Sequence, residues 1–326
     1  MIYSFQGLRA LVALAVVFQH ASRLTGYAEQ SNNFGICILF MMSGFLLVSH
    51  RPQNRRVFFM DKLARLAPMN ILCLFLICLL TFRDLPGSLT RLVPDLLMLQ
   101  SWIPDSSFYF SGDPVGWFLS SILFCYFMFP LLRRLLENNP RLFAVGWLVA
   151  ASLFIFVVQI FAGSRLTDFV YVAPYSRIFD FSLGMIVGRM CGSGLRYNVD
   201  RMQLIAFLVS CVMFICSVYV PEVLYLSFWW FIPSALLLFS LSMGKDGILA
   251  RALSVRPLVW LGNISFAVFM IHIPMMRIIE ALARKNGVTL YLWSTFTIVA
   301  LTSIAAGYVI SRYFEKPVTK YLRSRI

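Results

Sequence analysis

The chain has 326 residues, of which 60% are apolar and only 13% are charged. A soluble fold of this composition would expose a large hydrocarbon surface to water, so the sequence predicts a membrane protein with lipids around it. The formal net charge of +14 could indicate nucleic-acid binding in a soluble protein. Here the distribution of basic residues along the chain is explained by membrane topology, and no nucleic-acid partner is expected.

Ten apolar segments approach the length of about 20 residues that a helix needs to cross a bilayer. They predict an all-α, polytopic bundle of about ten transmembrane helices, in one domain over residues 1–326 with no appended soluble domain. The first segment lacks a small-residue cleavage site, so we interpret it as a mature helix. The segments lie near residues 7–25, 32–49, 67–82, 115–136, 142–163, 175–190, 202–220, 224–243, 257–279 and 289–312.

The lysine and arginine residues orient the predicted bundle. With the N-terminus in the cytoplasm, 20 of the 28 fall on the inner side, which leaves 8 for the outer side. Cytoplasmic loops are enriched in these two residues. Both termini are therefore predicted to be cytoplasmic.

Two connections are long enough to have structure of their own. Residues 51–66 mix apolar and basic residues, which predicts an amphipathic helix that lies on the inner surface or leads into the third span. Residues 83–114 contain the apolar run Leu96 to Leu99, and we interpret them as an outer loop with a short re-entrant or interfacial helix. The acceptor of any reaction is expected to contact such outer loops, chiefly 83–114 and 163–175.

The seven cysteines lie within or at the ends of apolar segments. Their number is odd and no CxxC pair occurs, so they are interpreted as small hydrophobic residues. No metal site is expected.

Arg9 and His20 lie on the first apolar helix. Eleven steps of about 100° return to nearly the same helix face, and they rise by roughly 16 Å. Histidine titrates near neutrality and can take a proton from an attacking hydroxyl group. A histidine that only bonds to a neighbouring helix is an equally good interpretation of this spacing.

His272 and the pair Arg177 and Asp180 are further polar residues in predicted spans. Taken alone, His272 is more typical of a structural than of a catalytic histidine. Arg177 and Asp180 are spaced i, i+3 and can form a plain ion pair on one helix face. The functional hypothesis is that Asp180 orients one of the histidines, as a carboxylate does for an imidazole base.

Lys62 and Arg65, with Arg55 and Arg56, form a basic cluster on the same side as Arg9. A positive-inside loop explains them without any ligand, and the alternative is a site for nucleotide phosphates. Small residues such as Ser43-Gly44 and Ser120-Ser121 favour close helix packing. Ser43 could also be a covalent nucleophile, but it does not lie in the Gly-x-Ser-x-Gly motif that is typical of such serines.

Seven motifs in this order resemble the membrane-bound acyltransferase 3 family, whose members O-acylate bacterial surface glycans and other acceptors. They extend from Gln6 to Pro317, nearly the whole chain. The motifs are FQGLRALVALAVVFQH, LFMMSGFLL, FFMDKLARLAP, GWFLSSILFCYFMFPLL, SRIFDFSLGMIVG, WLGNISFAVFMIHIP and FEKP.

The resemblance implies a ten-helix bundle in the bacterial inner membrane that binds acyl-coenzyme A from the cytoplasm and delivers the acyl group on the opposite face. Arg9 and His20 match the essential arginine and histidine of the family. Lys62-x-x-Arg65 matches its cytoplasmic RxxR motif, which is thought to contact the cofactor. Lysine in place of the first arginine keeps the charge but loses the bidentate fork.

A second departure from the family pattern lies after Trp-x-Leu-Ser. Many members carry acidic residues there, whereas this chain has Ile122 and Leu123. Whatever function that acid has elsewhere is not performed at these positions.

The resemblance leads to a mechanism with acetyl-coenzyme A as co-substrate. Arg9, Lys62 and Arg65 hold its phosphates, and His20 acts as general base on a hydroxyl group of a surface glycan or lipid-linked saccharide. The remaining assignments are supporting ones: Asp180 and His272 in catalysis, Ser43 in cofactor binding, and Trp117 and Arg177 in acceptor binding.

Three alternatives stay open at this point. The acyl group could pass through His20 or Ser43 as a covalent intermediate. The protein could be a carrier or flippase for a lipid-linked glycan, without chemistry. It could also be an N-acyltransferase for amino sugars, which would share the site and differ only in the acceptor.

Overall fold

The computed structural model of the chain describes residues 2–27, 33–48, 54–80, 89–191, 198–244 and 246–326. Within these ranges the protein is helical and contains no β-strand, which confirms the predicted all-α class. Each of the ten apolar segments contains a helix. These helices are α1 (Tyr3–Leu24), α2 (Asn33–Leu47), α3 (Arg55–Leu80), α6 (Trp117–Asn138), α7 (Pro140–Phe161), α8 (Pro174–Met190), α9 (Val199–Cys216), α11 (Phe231–Met243), α13 (Arg256–Lys285) and α14 (Leu292–Ile310).

Shorter helices occupy the connections and the C-terminal segment. They are α4 (Leu89–Leu96), α5 (Ser106–Tyr109), α10 (Glu222–Tyr225), α12 (Ile248–Leu253) and α15 (Lys316–Arg323). A π-helical turn, Ser311–Glu315, joins α14 to α15 without a break. The predicted short helix in the 83–114 connection is found as α4, and residues 81–88 lie outside the described part of the chain.

Six helical stretches in the described ranges are long and apolar enough to cross a bilayer. Two further apolar helical stretches, Asn33–Leu47 and Phe228–Met243, are shorter. Length and composition therefore support a polytopic membrane fold, and the count of ten spans stays a prediction. The six stretches are Arg55–Leu80, Trp117–Asn138, Pro140–Phe161, Val199–Tyr219, Arg256–Lys285 and Leu292–Arg323.

The surfaces of α7 and α9 show which solvent the fold requires. Only 11% and 22% of their most apolar windows are buried inside the protein. On α7, Leu148, Phe156 and Phe161 are exposed by 60%, 64% and 77%. Apolar surface of this extent is incompatible with water, so lipid chains must cover these two helices.

Asparagine caps explain where α7 and α9 begin. The side chain of Asn139 accepts a hydrogen bond from the backbone N–H of Leu142 at 3.0 Å, and Pro140 is the first helical residue. The side chain of Asn198 accepts one from the backbone N–H of Arg201 at 3.1 Å. Such caps satisfy N–H groups that the first helical turn leaves unpaired.

The basic connection and the third predicted span form one continuous helix. α3 begins at Arg55, so the alternative in which the amphipathic segment leads into the span is confirmed. The prediction started the span at residue 67 because basic residues interrupt the hydropathy there. Residues 51–53 of the predicted amphipathic segment lie outside the described ranges.

The helices group into two compact units by their internal contacts. Unit 1 comprises Met1–Phe5, Asn33–Arg55 and Ser121–Val255, and unit 2 comprises Gln6–Asn32, Arg56–Ser120 and Arg256–Ile326.

In unit 1, α2 packs directly against α8 through glycines. A Cβ atom on Gly44 would collide with the backbone oxygen of Phe181, and one on Gly184 would collide with the backbone oxygen of Met41. Glycine removes the side chain that would otherwise keep two helices apart. The packing role predicted for the Ser43-Gly44 pair is therefore confirmed at Gly44.

In unit 2, α13 is the central helix, with 67% of its most apolar window buried. A Cβ atom on Gly262 would meet the backbone of Gln6 on α1, and one on Gly307 of α14 would lie 2.9 Å from a methyl group of Val268. Phe18 of α1 packs in addition against the ring of Phe296, with centroids 5.3 Å apart. These contacts pack α1 and α14 against α13 and against each other.

Candidate active site

The two histidines that stand out in the sequence lie against each other in unit 2. The ring centroids of His20 on α1 and His272 on α13 are 5.1 Å apart, and the ring planes meet at 65°. His272 is fully buried and His20 is half-buried. The sequence placed both at a similar depth but gave no means of pairing them, because the contact between α1 and α13 is a tertiary feature.

The hydrogen bond of His272 determines which ring nitrogen carries the proton. Its Nδ1 lies 2.6 Å from the backbone oxygen of Phe269. Since a carbonyl oxygen only accepts, Nδ1 must be the N–H donor, and in the neutral ring Nε2 is left as an acceptor. Nε2 is buried and has no hydrogen-bond partner among the described residues. His272 therefore keeps an unpaired acceptor beside His20.

A series of ring contacts leads from His272 to Trp117. His272 lies 6.1 Å from Phe269 by ring centroids, Phe269 lies 5.4 Å from Phe118, and Phe118 lies 6.3 Å from Trp117. The backbone oxygen of Trp117 accepts a hydrogen bond from the hydroxyl of Ser101 at 2.9 Å. Trp117, predicted to bind the acceptor, thus lies in unit 2 and is connected to His272 through Phe118 and Phe269.

Around Gly112 and Gly116, shortly before Trp117, lies a group of polar side chains that the sequence interpretation did not single out. We call Asn70, Asp95, Gln100 and Asp113 the polar cluster; each is 1% exposed. The amide of Asn70 donates to the backbone oxygen of Asp95 at 2.8 Å. Asp95 and Asp113 lie in a connection whose polar residues looked typical of a solvated loop, so only the fold reveals their burial.

Burial alters the protonation of both carboxyl groups of the polar cluster. Desolvation raises the pKa of Asp95 to about 7, against the opposing effect of a hydrogen bond from Ser111. Desolvation raises the pKa of Asp113 to about 8; the backbone N–H of Val115 and the charge of Arg277 lower this pKa, and the charge of Asp95 raises it. At neutral pH, Asp113 is mostly protonated and can donate a hydrogen bond.

The predicted phosphate-binding residues also lie in unit 2. Arg9 is half-buried on α1, and Lys62 and Arg65 lie one turn apart on α3. The ammonium of Lys62 is 3.3 Å from a carboxylate oxygen of Asp61 and 5.0 Å from the ring centroid of Phe58. This carboxylate also pairs with Arg323 of α15 at 2.7 Å. These partners of Lys62 were not predicted from the sequence.

Arg177, Asp180 and Ser43 lie in unit 1. The predicted i, i+3 ion pair is confirmed, with 3.2 Å between the guanidinium of Arg177 and the carboxylate of Asp180, both fully buried. Ser227 lies 3.2 Å from each of them, and Arg177 also donates to the backbone oxygen of Tyr171 at 2.7 Å. Ser43 donates to the backbone oxygen of Leu39 at 2.9 Å. Whether Asp180 orients a histidine stays a prediction.

The described ranges contain neither a disulfide nor a group of metal ligands. All seven cysteines are described and none forms a disulfide. In the part of the chain that the structure describes, no three His, Cys, Asp or Glu side chains are placed to hold a metal ion.

Two comparisons with known proteins bear on this site. The sequence model of the acyltransferase 3 family, described as an acyltransferase domain, matches residues 2–312. A protein described as Acyltransferase MdmB from Streptomyces mycarofaciens is 27% identical over 360 residues, which cover 99% of this chain and 92% of that relative. No solved structure matches the chain.

Proposed function

Because this chain belongs to the acyltransferase 3 family, we propose that it transfers an acetyl group from acetyl-coenzyme A to a hydroxyl group of a carbohydrate. The acceptor is a surface glycan or lipid-linked saccharide on the outer side of the bacterial inner membrane. The observation that carries this proposal is the contact between His20 and His272. Unit 2 also contains the cationic residues Arg9, Lys62 and Arg65.

His20 is the general base in this mechanism. Its imidazole removes the proton of the acceptor hydroxyl while the oxygen attacks the thioester carbonyl carbon. The carbon–sulfur bond then breaks, and the thiolate of coenzyme A takes the proton back from His20. His272 is a positioning residue, because its ring contacts His20 and its Nδ1 is fixed on Phe269.

The donor lies along α1 in this proposal. Arg9, Lys62 and Arg65 hold the phosphates, and the pantetheine arm extends toward His20. α1 is a continuous helix, so the rise of roughly 16 Å from Arg9 to His20 is maintained and is comparable to the length of that arm. This orientation accords with ten spans and cytoplasmic termini, because the distribution of basic residues then places Arg9, Lys62 and Arg65 on the inner side.

The polar residues of unit 1 have structural roles in this proposal. Arg177 and Asp180 form an ion pair within α8, and Arg177 also donates a hydrogen bond to the backbone oxygen of Tyr171. The Ser43 hydroxyl donates to a backbone oxygen of its own helix. A serine engaged in this way is a poor nucleophile, which favours direct attack by the acceptor. Radiolabel that stays on the protein after incubation with labelled acetyl-coenzyme A, and then moves to acceptor, would contradict direct attack.

The proposal is tested with purified protein in lipid nanodiscs. Acetyl-coenzyme A and a panel of methyl glycosides are supplied, and mass spectrometry detects acetylated glycoside. The wild type is expected to form it, whereas a carrier without chemistry would not. Replacing His20 by Ala should lower the rate by about 100-fold to 10,000-fold, the usual contribution of a general base.

The fold of the His20→Ala variant is checked by its thermal unfolding and its elution in gel filtration. His20 is half-buried, so the substitution should have little effect on either. A variant that folds and transfers acetyl at nearly the rate of the wild type would refute His20 as the base. Acetylated amine in place of ester would indicate an N-acyltransferase.

A further inference from the structure

The polar cluster has more hydrogen-bonding atoms than the protein satisfies. Five buried atoms have no partner among the described residues: Asn70 Oδ1, Asp95 Oδ1, Gln100 Oε1, Gln100 Nε2 and Asp113 Oδ2. Each such atom costs about 1–3 kcal/mol when nothing replaces the water it has lost. Five in one place exceed what folding alone accounts for, so the cluster is built to receive something polar.

The unsatisfied amide groups of Gln100 and Asn70 both approach Gly116. A Cβ atom placed on this glycine would lie 2.9 Å from Gln100 Nε2 and 3.7 Å from Asn70 Oδ1. A donor and an acceptor thus lie close to the same point, together with the backbone oxygen of Asp113 at 3.0 Å, and this position has room for glycine but not for a side chain. The next residue is Trp117, whose neighbour Phe118 contacts Phe269.

The polar cluster is also linked to the histidine pair along α13. Phe269 binds His272 Nδ1 through its backbone oxygen, and Arg277, five residues after His272, affects Asp113 through its charge. All four residues, Phe269, His272, Arg277 and Asp113, lie within unit 2. The same helix therefore passes by the proposed reacting groups and by the polar cluster.

We propose that Asn70, Gln100 and Asp113 form the subsite that binds the hydroxyl groups of a neutral carbohydrate acceptor beside the histidine pair. This inference rests on the proposed function and assigns its substrate-binding residues. Amide side chains offer both a donor and an acceptor, which matches a sugar hydroxyl, itself both donor and acceptor. A protonated Asp113 adds a donor without adding a charge.

The subsite is tested by a double-mutant cycle in which one change is a substitution in the protein and the other is the removal of one hydroxyl group from the acceptor. Wild type and Gln100→Leu are compared on the methyl glycoside that the wild type acetylates and on its monodeoxy analogues, in nanodiscs with acetyl-coenzyme A. Loss of one buried hydrogen bond corresponds to about 10-fold to 100-fold in kcat/KM for the acceptor. One deoxy analogue should show this loss with the wild type and not with Gln100→Leu, while KM for acetyl-coenzyme A stays unchanged.

Two further variants separate binding from folding. Gly116→Ala keeps every polar atom but fills the space between Gln100 and Asn70, so it should raise the acceptor KM as well. Thr295→Val is the matched control: its hydroxyl is buried and without a partner among the described residues of unit 2, but Thr295 is not in the polar cluster. It should leave the acceptor KM unchanged.

Two results would overturn the inference, and they are distinguishable. In the first, the wild type acetylates a glycoside, but Gln100→Leu and Gly116→Ala have the same acceptor KM as the wild type and lose as much kcat/KM on each monodeoxy analogue. The cluster then binds only water, and the proposed function stands. If the wild type acetylates no glycoside, the carbohydrate acceptor itself is refuted, and the subsite with it.

Discussion

The two histidines differ in burial, and this difference divides their roles. His272 is enclosed and bound to the Phe269 carbonyl, so its ring cannot turn without losing a hydrogen bond. His20 is half-buried, so it is the less enclosed of the two rings and the one to which the proposal gives the contact with the acceptor. In the proposed mechanism, the fixed ring of His272 restricts the orientation of the His20 ring, which proton transfer requires to lie within a narrow geometry.

Asp113 should make the stability of the protein depend on pH. Its pKa is about 8 in the folded protein against 3.8 for an unperturbed carboxyl. The folded state therefore binds the proton more tightly, and stability is greatest below about pH 4 for this group and falls as pH rises toward 8. The groups that act on it are Asp95, Arg277 and the N–H of Val115.

We predict that Asp113→Asn removes much of the dependence of protein stability on pH, because asparagine resembles the protonated acid and does not ionise. Thermal unfolding in detergent should show the variant gaining stability relative to the wild type as pH rises from 5 to 9. Ser111 and Asp95 are retained, so Asp95 still titrates near pH 7 in both proteins. Parallel curves for the two proteins over this range would show that Asp113 is ionised in the fold.

Lys62 is the position at which this chain departs from the RxxR pattern of the family it resembles. Arginine there would add a second parallel hydrogen bond to a phosphate. We predict that Lys62→Arg lowers KM for acetyl-coenzyme A by about twofold to tenfold with kcat unchanged, whereas Lys62→Met raises it by a similar factor. Steady-state kinetics with varied donor measures both.

Lys320→Met on α15 is the matched control for Lys62, because it removes an exposed lysine without a role in the proposal. It should leave KM for acetyl-coenzyme A unchanged. Equal effects of the two methionine variants would mean that general surface charge, and not Lys62 itself, attracts the donor.

Residues were predictable to different degrees. Arg9, His20 and His272 stood out because charged and imidazole groups are costly in apolar spans, and Lys62 stood out as part of a basic cluster beside the third span. Gln100 and Asp113 did not, because polar residues in a connection are expected to be solvated and only tertiary packing buries them.

At the scale of elements, glycine contacts set the distance between α2 and α8. The backbones meet at Gly44 and Gly184, where any side chain would collide with a carbonyl oxygen of the opposite helix. The sequence indicated Gly44 through its neighbour Ser43. The contact at Gly184 was not predicted, because the residues around a glycine do not show which helix packs against it.

We predict that Gly184→Ala lowers the thermal stability of the protein by several degrees, because α2 and α8 must separate to admit the methyl group. Gly146→Ala on α7 is the matched control, since nothing lies within 4 Å of its Cβ position. Alanine in a helix is favoured over glycine by about 1 kcal/mol, so the control should be neutral or slightly stabilising. Equal effects of the two variants would show that α2 and α8 do not approach as closely as described.

The sequence was sufficient to predict where helices occur but not the residues at which they begin and end. Apolar length identified all ten long helices, but α3 starts twelve residues before the predicted residue 67 because a helix can continue through a basic segment. Hydropathy reports where lipid can lie and not where backbone hydrogen bonding begins.

At the scale of the whole molecule, the number of spans determines which connections face the cytoplasm. With the N-terminus inside, ten spans place Asn198 on the inner side and Tyr219 on the outer side. If only the six long apolar stretches cross, both positions are reversed. The C-terminus is cytoplasmic in either case and does not discriminate.

We predict that Asn198→Cys is shielded and Tyr219→Cys is labelled when intact spheroplasts are treated with a membrane-impermeant maleimide. The variants are made in a background in which the seven native cysteines are replaced. Lysed membranes give the labelling control for both positions. The opposite pattern would support six spans.

α3 carries a residue of the proposed donor site and a residue of the proposed acceptor subsite on one uninterrupted rod. Lys62 and Asn70 are separated by eight residues, or roughly 12 Å of helix rise. A single inserted residue between them would turn everything beyond it by about 100° and point Asn70 away from Gln100. An insertion or deletion in this stretch would therefore disturb both proposed sites at once, whereas a substitution outside the binding residues would keep the distance between the two substrates.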